Sequence, residues 1–159
     1  MELRIKKKRI SWTDSFNVFD EYYNKKYTVR ADLVSIGRVF RVYDEFGDEV
    51  GVIREKLIKL LPYYYIYIYG EASGYICKRI SIFRPVYDIQ YAGLRVKGDI
   101  FNWNYDVYNA SKKLVAIVRK KLISFVDTYV MDIIDENYEM EILMLAVVIE
   151  EISLINRVT

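Results

Sequence analysis

Two basic residues, Arg54 and Lys56, stand two apart in VGVIREKLIKLLPYYYIYI (Val50–Ile68), and the pair returns as Arg119 and Lys121 in VAIVRKKLISFVDTYVMDI (Val115–Ile133). In an extended chain this spacing puts both cations on one strand face, where they could hold an anion. The two copies would fall on opposite sides of a symmetric domain and would not share a pocket. Lys78 and Arg79 follow in YICKRI. A basic-lined site is most easily assembled from these two and Arg54, if neighbouring strands bring them together. The competing account is that exposed charge only keeps the domain soluble. KKKR (Lys6–Arg9) adds a basic run; in a strand its members alternate between faces, so about half meet one flat anionic surface. Lysines on an exposed strand also discourage edge pairing, while each basic residue close to acidic lipid contributes about 1 kcal/mol.

Other reactive side chains are sparse. The chain has no histidine, which removes Ser-His-Asp and Cys-His catalysis and the commonest transition-metal ligand. Cys77 lies in a strand-like stretch without an imidazole base, and packing is its expected role. The acidic residues fall mostly in turns, as Asp20 and Glu21, Asp44 and Glu45, Asp48 and Glu49, and Asp135 and Glu136. Turn chemistry and solvation explain them better than a glycosidase-type pair. DEFGDE lacks the spacing of an EF-hand loop. No phosphate-binding glycine loop occurs. The expectation is therefore a protein that is not an enzyme and has no metal, no cofactor and no catalytic residues.

Bulk composition narrows the partners. At 159 residues the chain suits one domain with one core, and 53% hydrophobic residues exclude disorder. A net charge of +2, from 24 basic and 22 acidic residues, is too balanced for nucleic-acid binding on charge alone. The single cysteine makes no internal disulfide, and MELRIKKKRI lacks the apolar stretch of a signal peptide. A cytoplasmic location is expected, with peripheral membrane contact as an extension of it. The apolar run from Ile142 to Ile149 is far shorter than the roughly 20 residues that span a bilayer.

The elements that would position these residues are strands. β-Branched and aromatic residues alternate with turn signals over about twelve segments, near residues 2–10, 15–20, 26–34, 39–44, 49–58, 63–69, 75–82, 86–91, 93–97, 102–108, 113–122 and 128–134. Short connections such as EFGD, YGEASG, YAG and NASK favour antiparallel meanders. Val50–Ile68 matches Val115–Ile133 at an offset of 65 with 7 of 19 identities, and FRVYD (Phe40–Asp44) falls on YDVYN (Tyr105–Asn109) at the same offset. Duplication of a half-domain, approximately 15–70 and 75–135, accounts for this. Twelve strands in a closed barrel leave room for a central helix. The segment near 139–155 is apolar all round between Ile142 and Ile149, as a helix ringed by sheet must be. Gly51 and Ala116, equivalent in the repeat, would let strands approach that helix, and Glu150 and Glu151 are expected to mark its exit into water.

FRVYDEFGDEVGVIREKL (Phe40–Leu57), the second-half VAIVRKKLISFVDTYVMDI and the closing EILMLAVVIEEI resemble the LURP-one-related proteins, allied in fold to the tubby C-terminal domain and the phospholipid scramblases. The resemblance covers nearly the whole chain and implies a twelve-stranded barrel around a C-terminal helix. Tubby domains bind phosphoinositides through a basic-x-basic strand upstream of an F-T-V-Y-D segment. In VRADLVSIGRVFRVYD (Val29–Asp44), Arg30 takes the first basic position and Asp32 the second. A carboxylate there repels phosphate, a departure from the tubby pattern.

Together these readings give one α+β domain over 1–159, a closed twelve-stranded antiparallel β-barrel built from two repeated halves around a buried hydrophobic C-terminal helix. Its expected role is non-catalytic binding or scaffolding, with an anionic, phosphoinositide-like phospholipid surface or a protein as partner. Arg30, Arg54, Lys56, Lys78 and Arg79 are the candidate anion-binding residues. The alternative is a small-molecule-binding protein or enzyme with a site at the barrel rim.

Overall fold

A strand with one apolar face buries it only when neighbours pair edge to edge and the sheet wraps a core. The computed structural model describes residues 1–7, 15–33, 37–80, 86–123 and 126–158, with backbone alone at 7, 33, 122–123, 126–127 and 156–158. Its strands are β1 (Glu2–Lys7), β2 (Phe16–Phe19), β3 (Lys25–Leu33), β4 (Arg38–Tyr43), β5 (Glu49–Ile58), β6 (Leu61–Ile68), β7 (Glu71–Arg79), β8 (Val86–Tyr91), β9 (Arg95–Asp99), β10 (Asn104–Tyr108), β11 (Leu114–Ile123) and β12 (Val126–Ile133). A 3-10 turn (Glu136–Tyr138) leads into the helix α1 (Glu139–Val158).

The strands form one antiparallel sheet of twelve, in the order β8-β7-β6-β5-β4-β3-β2-β1-β12-β11-β10-β9. First and last strands pair with each other, Leu3 opposite Met131 and Ile5 opposite Tyr129. Among the described residues, the one ladder missing from a complete ring is between β8 and β9. These two edges leave a tight turn in which the Leu94 amide donates to the Tyr91 carbonyl at 2.9 Å, and the rings of Tyr87 and Phe101 meet edge to face at 6.3 Å. The result is a nearly closed barrel with one C-terminal helix.

Strict antiparallel order puts the starts of β4 and β6 and the ends of β5 and β7 at one rim. At the other rim α1 begins, its Glu139 accepting from the Tyr27 hydroxyl at 2.7 Å and pairing with Lys26 at 2.6 Å. At the first rim Arg38 pairs with Glu151, so the helix runs through the barrel from rim to rim. The eight residues from Ile142 to Ile149 point in every direction around its axis, and each is at most 2% exposed. Gly51 marks a close approach: a Cβ added there would sit 2.6 Å from the Met144 sulfur. Glu150 and Glu151 do not reach water, being 5% and 2% exposed. The expectation that they mark the helix exit is corrected by Arg38, which reaches in from β4 and compensates buried charge.

Strand positions agree with the alternation pattern, and the differences lie at turns. YGEASG is not a loop: Tyr69 and Gly70 alone make the connection, with φ of 49° and 81°, and β7 begins at Glu71. β6 begins two residues before Tyr63 because Lys59 and Leu60 form a two-residue turn with φ of 50° and 66°. Residues 8–10, 34 and 81–82 of the expected strands lie outside the described residues. The bounds of β11 and β12 are those of β5 and β6 displaced by 65. Register shifts fall at Val42/Tyr43 in β4 and at Val107/Tyr108 in β10, again 65 apart.

Acidic turns behave as the turn reading requires. The Asp44 carboxylate accepts from the Phe46 and Asp48 amides at 3.0 and 2.9 Å, and that of Asp20 from the Tyr22 and Asn24 amides at 2.9 and 2.8 Å. No helix among the described residues is long and apolar enough to cross a membrane.

Candidate functional site

On β5 the residues Gly51, Ile53 and Glu55 face the interior, so Val52, Arg54 and Lys56 must face outward; Arg54 and Lys56 are exposed. Pairing sets Arg54 opposite Val39 on one side and Tyr65 on the other, and Lys56 opposite Tyr63. On β6 the alternation of YYYIYIY sends Tyr64 and Ile66 into the core, at 0% and 1% exposure, and leaves Tyr63, Tyr65 and Tyr67 on the outer face. Tyr75 of β7 lies opposite Tyr65 and Cys77 opposite Tyr63.

The outer rings form one array. Tyr63 and Tyr65 stack at 6.2 Å, and Tyr75 lies 5.8 and 5.9 Å from them. The Lys56 ammonium stands 5.4 Å from the centre of the Tyr65 ring, within cation–π range. Burial pushes the Cys77 thiol above its ordinary pKa; beside it the Tyr63 hydroxyl is also raised, first by the charge interaction with Cys77. Cys77 is buried in this layer, a packing position. Among the described residues no carboxylate pairs with Arg54 or Lys56. This face can hold an anion with two unspent cations and phenol hydroxyls able to donate to it.

The other sequence candidates disperse. Arg79 shares the outer face but donates to Asp88 at 3.0 Å. Lys78 takes the inner face, on the side of Ile76 and opposite Tyr87. Arg30 stands on β3 with its guanidinium 4.9 Å from the centre of the Tyr43 ring. It is opposite Arg41, two strands and one pleat from Arg54, or roughly 12 Å by strand spacing. Asp32 is bound by Arg41, whose guanidinium also takes Glu49, at 3.0 and 2.7 Å. Arg119, 65 residues beyond Arg54, is spent on Asp106 at 2.7 Å and on the Tyr105 and Val118 carbonyls. The two positions therefore differ: among the described residues Arg54 has no carboxylate partner and Arg119 has one. Of KKKR, Lys8 and Arg9 lie outside the described residues.

The ring array comes from YYYIYIY (Tyr63–Tyr69), a stretch whose period-two alternation is plain in the sequence and whose tyrosines are expected there to pack strand faces, the exposed ones being available as a partner surface. A concavity of about 280 Å³ lies elsewhere, at the rim where α1 begins, lined by Met1, Asp20, Glu21, Lys25, Glu45 and Glu136 among others. Among the described residues no three His, Cys, Asp or Glu side chains are grouped to hold a metal ion.

Comparison with known proteins agrees with the architecture. A solved X-ray structure of a protein from Arabidopsis thaliana superposes with a TM-score of 0.58 at 13% identity, covering 94% of this chain and 91% of the other. At that identity the likeness speaks for the fold alone. A Bacillus subtilis (strain 168) relative, named as the uncharacterized protein YxjI, is 26% identical over 144 residues, which are 91% of this chain and 86% of the relative. The family model described as LURP-one-related matches residues 1–150, and the chain belongs to the LURP-one-related family.

Proposed function

We propose that this LURP-one-related protein is a non-catalytic binding module that engages anionic phospholipid headgroups from the cytoplasmic side through the outer face of β5, β6 and β7. The observation that carries this reading is the pair Arg54 and Lys56, exposed, unmatched by carboxylates among the described residues, and beside the Tyr63, Tyr65 and Tyr75 ring array, with the Lys56 ammonium 5.4 Å from the centre of the Tyr65 ring. A phosphate ester meeting this face gains two cations without first breaking an ion pair, and phenol hydroxyls can complete its hydrogen bonds. On the same reading the barrel is tubby-like and composed of two repeated halves, supported by the displaced strand bounds and register shifts. Lipid binding then uses the outer face of the first half, distinct from the basic-x-basic position at Arg30 and Asp32. Flotation with phosphatidylserine-containing vesicles tests the reading. Binding that falls with salt supports it, as does indifference to phosphatidylcholine alone; indifference to all vesicles defeats it.

The alternative, a small-molecule-binding protein or enzyme at the barrel rim, is favoured by one observation, the concavity beside Glu21 and Lys25. Its lining is mostly charged, and it is small against the mostly apolar pockets of roughly 300–1,000 Å³ that hold drug-sized ligands.

A further inference from the structure

Among the described residues the β5–β6 hairpin extends past its ladders with β4 and β7. The ladder with β4 ends at Arg54, and that with β7 ends at Tyr63 opposite Cys77. Beyond these points Lys56, Leu57 and Ile58 pair only with Tyr63, Pro62 and Leu61 among the described residues. At the tip of this two-stranded finger Leu60 is 90% exposed, and Leu57 and Ile58 behind it are 57% and 38% exposed. Past Cys77 the strand β7 continues to Arg79 paired with β8, and Ile80 after it is 87% exposed.

The turn itself is unusual. A two-residue hairpin turn with both residues at positive φ calls for Asn-Gly or a similar pair, yet here Lys59 and Leu60 hold φ of 50° and 66°. Bulky side chains in that region are strained, and strain of this kind collects where function requires a particular side chain. Leu60, one of these two residues, is the most exposed large hydrophobic among the described residues.

Resting on the lipid reading above, we propose that the Lys56–Leu61 finger enters the interfacial layer of an anionic bilayer, burying Leu57, Ile58 and Leu60 while Lys56 and Lys59 meet lipid phosphates. Leu57 and Ile58 are consecutive in a strand and so point to opposite faces of the finger. A partner docking on one face would leave the other wet, whereas a bilayer interface covers both. The flanking lysines match an anionic surface. A two-fold contact with a second copy would set Lys59 against Lys59.

The test compares the full-length wild type with a Lys59→Asn/Leu60→Gly variant on phosphatidylserine/phosphatidylcholine vesicles, with thermal unfolding and sedimentation measured on both. The variant's turn suits its φ angles, so its Tm should rise, which excludes misfolding as the cause of any loss. Its vesicle affinity should fall about tenfold or more, the order expected when a leucine no longer leaves water. A variant that binds like the wild type overturns the finger and leaves the lipid-face reading standing. A wild type that ignores every vesicle overturns both. A finger-dependent dimer in sedimentation, with vesicle binding unchanged in the variant, assigns the finger to a second copy and overturns the proposal.

Discussion

The Arg38 guanidinium, at the start of β4, forms an ion pair with the Glu151 carboxylate of α1 at 2.5 Å, joining barrel wall and central helix across 113 residues of sequence. Glu151 is 2% exposed, so its charge needs a partner inside the barrel. Arg38→Ala should destabilise the fold by about 3 kcal/mol, read as a lower denaturant midpoint with unchanged slope. Arg38→Met combined with Glu151→Leu should recover most of that loss, because the penalty lies in the orphaned charge. If the double variant is as unstable as the single one, the contribution lies in packing instead.

Gly51 leaves the room that Met144 occupies. A β-branched side chain there meets the thioether of a residue that is itself fully buried. Gly51→Val should therefore cost about 1–3 kcal/mol in chemical unfolding despite the better strand propensity of valine. Shortening the facing residue, with Met144→Ala in the same chain, should return part of it. A Gly51→Val protein as stable as wild type would mean that the helix does not press on β5.

Alkaline pH should unfold the protein through its tyrosines. Burial raises the phenol pKa of Tyr27, Tyr64, Tyr91 and Tyr105, with the Glu139 carboxylate adding to the effect at Tyr27. A pKa raised in the folded state gives stability that is complete below the unfolded value, near pH 10, and declines as pH rises beyond it. Each group costs about 1.4 kcal/mol per pH unit in that window. Denaturant midpoints should fall steeply above about pH 10, with phenolate absorbance from the buried rings appearing only on unfolding. A flat stability profile from about pH 9 to 11 contradicts the placement of these rings.

Much of the strand pattern was legible because alternation is local: each segment shows its own inner and outer face. So was the apolar helix, whose eight residues from Ile142 to Ile149 leave no polar side. Turn positions were less legible where the residue types do not advertise them. Lys59 and Leu60 carry neither glycine nor asparagine, so nothing local marks a positive-φ turn. The burial of Glu151 rests on Arg38, brought to it from β4 across 113 residues, and no local pattern contains that information. Arg54 and Lys56 share one exposed face of β5, as their spacing of two requires. Lys78 and Arg79 were grouped although adjacent strand residues must face opposite ways. The commitment of Arg119 to Asp106 is a cross-strand contact that symmetry in the sequence conceals.

The most direct measurement is flotation of Arg54→Glu/Lys56→Glu beside a charge-matched control, Lys25→Glu/Lys112→Glu, which alters exposed lysines at the rim where α1 begins. With phosphatidylserine-containing vesicles at low salt, reversal at Arg54 and Lys56 should weaken binding about thirtyfold or more, from about 1 kcal/mol per basic residue removed and further loss from the introduced repulsion. The control should stay within about threefold of wild type. Equal losses in the two variants would show that net charge governs binding, and equal retention would contradict the assignment of lipid recognition to the β5–β7 face.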